Sequence, residues 1–194
     1  MGEGKMENYI RVARSLSLAA GLILSSNASI AHADGNSELD LPRGIGALQL
    51  EMSTGQFERI TGLHPIPCPS CGKDETAITL TAEQLAKFFE VKGNIASASL
   101  TFYSGDLYGI TLQPKDKDIK KVRDSYAKEF KNSGHAHYDH DGASTVQWED
   151  QYSLITVNFD SRSSEVLAIE YRDVNLSNEK DWRASLAESQ TAAQ

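Results

Sequence analysis

Residues 134–142 read Gly-His-Ala-His-Tyr-Asp-His-Asp-Gly, and four side chains able to bind a transition metal, His135, His137, Asp139 and His140, fall within six positions. Neutral imidazoles two residues apart can chelate zinc, copper or nickel, and a carboxylate can add an oxygen ligand. A plainer reading is open beside it: a solvated loop in which Asp141-Gly142 makes a turn. A second cluster, Cys68-Pro69-Ser70-Cys71-Gly72, holds both cysteines of the chain. In an oxidising compartment two such close thiols form a local disulfide. Its small ring removes little chain entropy, so it stiffens a loop more than it stabilises a fold. Two other readings of the pair stay open: a zinc knuckle, with His64 or the His cluster as extra ligands, and a redox-active couple.

The His-x-His-x-Asp-His order of His135 to His140 resembles the metal-binding motif of the metallo-β-lactamase family, which implies a zinc-dependent hydrolase. Such a site needs further histidine and acidic ligands from distant loops to complete two open coordination spheres. The chain has five histidines: His32 lies in an N-terminal leader, three form the motif, and His64 lies upstream, so none follows His140. The motif also follows a lysine-rich helix end rather than a buried strand. We therefore read the match as coincidental and expect no enzyme and no obligatory cofactor, with zinc, copper or nickel at the His cluster as the alternative. No Gly-x-Ser-x-Gly, phosphate-cradling loop or His-Glu-x-x-His occurs.

The surroundings of these clusters indicate where the chain works. A net basic opening (Lys5, Arg11, Arg14) precedes an apolar run, Ser15 to Ser25, and then Ala31-His32-Ala33. Small residues there suit signal peptidase, so residues 1–33 are expected to be a signal peptide and the mature chain to be periplasmic or secreted. No later segment is apolar enough to span a membrane. The formal net charge of −8 argues against nucleic acid and anionic lipid as partners.

The elements that must position the clusters follow from periodicity. Residues 34–44 read as a flexible lead-in and Ile45 to Met52 as a half-buried strand. Ser53 or Thr54 can cap a short helix closed by Gly62, and Thr81 to Gln84 forms a capping box before a second. Pro65, Pro67 and Pro69 make residues 63–76 a loop. Leu100, Phe102, Leu107 and Ile110 supply the core face of a hairpin that turns near Gly105-Asp106. Ile119, Val122, Tyr126 and Phe130 form the stripe of a longer helix closed by Ser133-Gly134. Three strands and a C-terminal helix, expected over residues 177–194, complete the order. Adjacent strands with short turns imply an α+β fold: an antiparallel meander with helices packed on one face. A faint internal echo suggests two related helix-plus-sheet halves, 45–114 and 115–176.

Met52, Ser53, Phe57, Ile60, Gly62 and Pro65 resemble the opening of the SmpA/OmlA (BamE-like) periplasmic domains, with Glu51 in place of the usual glycine. The order of elements is also similar to the β-lactamase-inhibitor-protein architecture. Both resemblances imply an α+β binding or assembly module of the cell envelope. The expected function is therefore non-catalytic binding of another envelope or exported protein, as an envelope accessory, inhibitor or immunity-like protein. The partner would be met by the sheet face or by the loops at 63–76 and 133–145. The sequence leaves the oligomeric state open.

Overall fold

A computed structural model describes residues 40–192, apart from 69, 73, 92, 133 and 139–142. The expected signal peptide, Asp139 and His140 lie outside the described residues. A small hairpin, β1 (Gly44–Ile45) and β2 (Leu48–Gln49), leads into α1 (Thr54–Thr61). Then come β3 (Ile66–Pro67), β4 (Glu75–Thr81), α2 (Ala82–Phe89), β5 (Ile95–Tyr103) and β6 (Asp106–Pro114). The rest of the chain gives α3 (Ile119–Phe130), β7 (His135–Tyr138), β8 (Ala143–Glu149), β9 (Ser153–Asp160), β10 (Glu165–Asp173) and α4 (Val174–Ala192). No described helix is long and apolar enough to cross a membrane.

The α+β class expected from the sequence is the class found. Eight strands form one antiparallel sheet in the order β3-β4-β5-β6-β10-β9-β8-β7. It is two four-strand meanders joined edge to edge, and the strands follow chain order counted inward from either edge, with α2 inserted between β4 and β5 only. The contacts repeat as well. Ser53, which caps α1, bridges to Asp106 at the start of β6, and Asp118, which caps α3, bridges to Glu165 at the start of β10. Thr54 N donates to Gly105 O and Ile119 N to Ser164 O, while Leu107 N donates to Met52 O and Val166 N to Lys117 O. Each meander is thus pinned to the start of its own helix by the same bridge, made of the same two hydrogen bonds.

Neighbouring rows across the sheet separate its two faces, because directly paired residues share a face and successive residues alternate. One row runs Leu80–Ala98–Leu112–Ile169–Val157–Val146–Ala136. All but Ala136 are buried, under the apolar stripes of α1, α2 and α3. Phe57 of α1 stacks on Phe89 of α2 at 6.0 Å and meets Phe102 edge-on at 5.5 Å. In the other half Tyr126 and Phe130 of α3 pack against Trp148 at 5.5 and 5.8 Å. Aromatic contacts of this kind add about 1 kcal/mol each beyond the burial of their area.

Several local expectations are corrected. Ile45 to Met52 is not one strand. Gly46 takes φ 57° and Glu51 φ 66°, so the chain folds into the β1–β2 hairpin instead. The lead-in is not loose throughout: Leu41 is buried and its amide donates to Asp150. α3 closes at Lys131 in the left-handed conformation, not at Ser133-Gly134. Residues 63–76 include the short strand β3 and the start of β4, and residues 135–138 form β7 rather than a loop. α4 begins at Val174, three residues earlier than expected, because the Asp173 carboxylate accepts from Leu176 N and caps it.

Candidate functional site

The row beside the apolar one is polar from end to end: Thr79–Ser99–Thr111–Glu170–Thr156–Gln147–His135. It crosses seven strands, about 29 Å at the usual strand spacing. Thr79, Ser99 and His135 are exposed, Thr111, Glu170 and Gln147 are half-buried, and Thr156 is buried. Thr79 and Ser99 share a hydroxyl hydrogen bond of 3.1 Å, and Asn158 donates to Glu170 at 2.9 Å. Short β-branched and hydroxyl side chains satisfy the pleat while keeping this face flat, which is why the sequence can leave it without a covering helix.

His135 and His137 project to this same face from β7, opposite Gln147 and Thr145. Both are exposed. β7 is the last strand of the sheet. Gly134 sets its entry: φ is 69°, and an added Cβ would lie 2.7 Å from the Trp148 ring. Trp148 in turn donates from Nε1 to Asn132 O at 3.0 Å, so the segment leading into the histidines is tied to the aromatic cluster. Among the described residues no group of three His, Cys, Asp or Glu is placed to hold a metal ion.

Cys68 and Cys71 form a disulfide in the β3–β4 turn. Thiolate ligation by the pair is thereby replaced by a covalent link in this state. The zinc-knuckle reading that borrowed the His cluster is corrected on distance as well. β3 and β7 are the first and eighth strands, about 33 Å apart at the usual spacing, so the two clusters cannot share one ion. His64 Nδ1 stands 2.9 Å from Glu58 Oε1.

Beside the disulfide turn lies a charged cluster that the sequence did not reveal. Glu75 is fully buried, and its Oε1 accepts from Tyr108 Oη at 2.5 Å and from Lys180 Nζ at 2.7 Å. Its Oε2 has no hydrogen-bond partner among the described residues. Lys180 also donates to Tyr108 Oη at 3.1 Å and lies over the Tyr108 ring. Glu75 is in phase with Thr79, so the first turns of α4 close one end of the polar face. Burial, then the hydrogen bond to Glu75, raises the Tyr108 phenol above its ordinary value. Burial pulls Lys180 down, but its bonds to Glu75 and Tyr108 outweigh that and leave it raised. Aromatic Tyr103 meets Tyr108 edge-on at 6.3 Å and completes the patch.

A second ion pair joins residues 130 positions apart. Arg43 pairs with Asp173, whose carboxylate is fully buried, and with Glu51 at 3.2 Å. Arg43 also lies over the exposed ring of Tyr152, in the turn before β9. The aromatics Trp148, Tyr103, Tyr108 and Tyr171 are buried.

No family model matches this chain, and no curated protein or solved structure matches it.

Proposed function

We propose that this chain is a non-catalytic, exported binding module that docks another envelope or exported protein on the open face of its sheet. One observation carries the reading: the polar row from Thr79 to His135 crosses seven strands with no helix laid over most of it. A rigid sheet backed by a packed core presents such a face with little ordering cost on binding, which favours recognition of a folded surface. The basic, then apolar, then small-residue opening of the sequence supports export. The resemblance of Met52, Ser53, Phe57, Ile60, Gly62 and Pro65 to SmpA/OmlA domains supports an envelope role. So does the similarity to the β-lactamase-inhibitor-protein architecture, on which an inhibitor or immunity-like role rests.

The test is partner capture with paired variants. The mature chain carrying Ser99→Arg and Gln147→Arg on the open face is compared with one carrying Lys120→Glu on the outer side of α3. Both are passed against envelope extract of the source organism. A specific protein retained by the parent and the Lys120→Glu chain, and lost by the open-face variant, is the expected result. Retention by all three, or no specific partner for the parent, removes the reading.

The second reading, transition-metal binding, rests on the placement of His135 and His137 on one face of an edge strand.

A further inference from the structure

The turn that holds Cys68 and Cys71 has its own backbone frame. Cys68 N donates to Glu75 O at 3.0 Å, and Cys71 N and Gly72 N turn back to Cys68 O at 2.9 and 3.3 Å. Ile66 and Pro67, just before it, pair with β4. These bonds hold the two sulfurs close whether or not they are joined. The ring spans a sequence separation of three, so opening it releases little chain entropy. The site is also reachable: Cys68 and Cys71 are half-buried, and Ser70 and Gly72 are exposed. Exposed disulfides with little hold on the fold are the labile ones.

We propose that Cys68–Cys71 is a thiol–disulfide exchange site that oxidises a pair of thiols in another exported polypeptide. A thiolate of the partner attacks Cys68 Sγ. A partner–Cys68 bond forms as the Cys68–Cys71 bond breaks, and Cys71 leaves as a thiolate. The partner's second thiolate then attacks the partner's first sulfur, which closes the partner's disulfide and releases Cys68. Two electrons pass from the partner dithiol to the cysteine pair. Two protons pass through water from the partner's thiols to Cys71 and Cys68. This exchange needs no docking on the open face of the sheet.

Two neighbours favour it. Ser70 Oγ lies 3.6 Å from Cys68 Sγ. A disulfide sulfur carries no proton, so the hydroxyl is the donor, and it supports the negative charge that Cys68 carries when it is released. That makes Cys68 the better leaving group of the closing step. Glu75 acts from the other side. Its buried Oε2, without a partner among the described residues, stands against Gly72, the residue after Cys71, where an added Cβ would collide with it. A buried acceptor with no donor costs free energy, and the disulfide has no proton to offer. Reduction creates two S–H donors in this turn, so the oxidised form is the one left with the unmet acceptor.

The experiment equilibrates the oxidised mature chain with glutathione redox buffers, alkylates the free thiols and counts them by mass spectrometry. The expected result is a reversible change between disulfide and dithiol at millimolar glutathione, with circular dichroism unchanged. The oxidised chain is also mixed with a synthetic peptide carrying two cysteines. It is expected to oxidise the peptide mole for mole, about tenfold faster than the same concentration of oxidised glutathione. Exposed to oxidised glutathione, the Cys71→Ser chain is expected to accumulate a mixed disulfide at Cys68, and the Cys68→Ser chain to accumulate several-fold less at Cys71. A chain that stays oxidised in reduced glutathione, that unfolds as it is reduced, or that oxidises the peptide no faster than glutathione does overturns the proposal. Equal mixed disulfide in the two variants overturns the choice of Cys68 as the exchanging sulfur.

Discussion

Lys180 Nζ lies 2.7 Å from Glu75 Oε1, joining residues 105 positions apart. The contact holds α4 against the end of the sheet and neutralises a carboxylate with no access to water. Removing one partner of a buried pair leaves an uncompensated charge and costs about 3–5 kcal/mol. Lys180 keeps 29% of its side chain exposed, so water can reach the site and the cost falls to about 1–3 kcal/mol. Lys180→Ala is expected to lower the unfolding free energy measured in urea by that amount. Lys180→Met with Glu75→Gln removes both charges and is expected to recover at least half of the loss. Equal losses in the single and double variants would mean that the pair's charge is not what matters there.

The disulfide has a different weight. Its ring closes over three residues of sequence separation, so the chain-entropy model assigns it at most about 2 kcal/mol. The turn also has backbone support, because Cys68 N donates to Glu75 O at 3.0 Å and Cys71 N to Cys68 O at 2.9 Å. Cys68→Ser/Cys71→Ser is therefore expected to fold, with an unfolding free energy in urea reduced by no more than that figure. Amide exchange should quicken around residues 68–75 while β8 and β9 are unchanged. Global loss of structure in this variant would show that the link holds the fold itself.

Alkali tests the buried phenols. Tyr126 and Tyr171 share a hydroxyl hydrogen bond of 2.8 Å. Burial raises both, Tyr126 against the lowering effect of that bond, Tyr171 with help from the neighbouring phenolate charge and the bond itself. Tyr108 and Lys180 are raised too. For groups raised on folding, the stabilisation is complete below the unfolded value, 10.0 for tyrosine. It is lost as pH climbs from there through the folded value. These groups therefore leave stability level up to about pH 10 and reduce it beyond. Phenolate absorbance of the buried tyrosines should appear together with loss of far-ultraviolet circular dichroism. Ionisation of all tyrosines while the structure persists would contradict the burial.

The sequence made legible what short-range chemistry decides. Ser53 caps α1 and Gly62 ends it, and the reciprocal Thr81–Gln84 box opens α2. The hairpin residues Leu100, Phe102, Leu107 and Ile110 are all fully buried. What stayed hidden was decided by pairing with distant strands. His135 to Tyr138 has no apolar alternation to announce a strand, because an edge strand exposed throughout takes its order from backbone bonds to β8. β3 hides behind its prolines for the same reason. The Glu75–Tyr108–Lys180 cluster leaves no periodic trace, since its members come from two strands and the last helix. The Cys pair was readable because it is local, whereas its separation from the histidines by the width of the sheet was not.

Gly134 and Gly62 offer a matched pair for measuring what positions β7. Both take left-handed φ, 69° and 70°, so alanine at either meets the same backbone penalty of about 1 kcal/mol. Only at Gly134 is the space filled as well. A Cβ there would lie 2.7 Å from Trp148 Cε2 and 2.8 Å from Val146 Cγ1, whereas at Gly62 nothing lies within 4 Å. Overpacking of a filled site adds about 1–3 kcal/mol. Gly134→Ala is therefore expected to destabilise by about 2–4 kcal/mol and Gly62→Ala by about 1 kcal/mol in urea unfolding. Because the displaced neighbours are Trp148 and Val146, the Gly134→Ala chain should also show altered tryptophan fluorescence. Its β7 amides should exchange faster while those of β5 and β6 stay protected. Equal costs at the two glycines would mean that the entry to β7 is loose, and that the Trp148 contact does not fix where His135 and His137 stand.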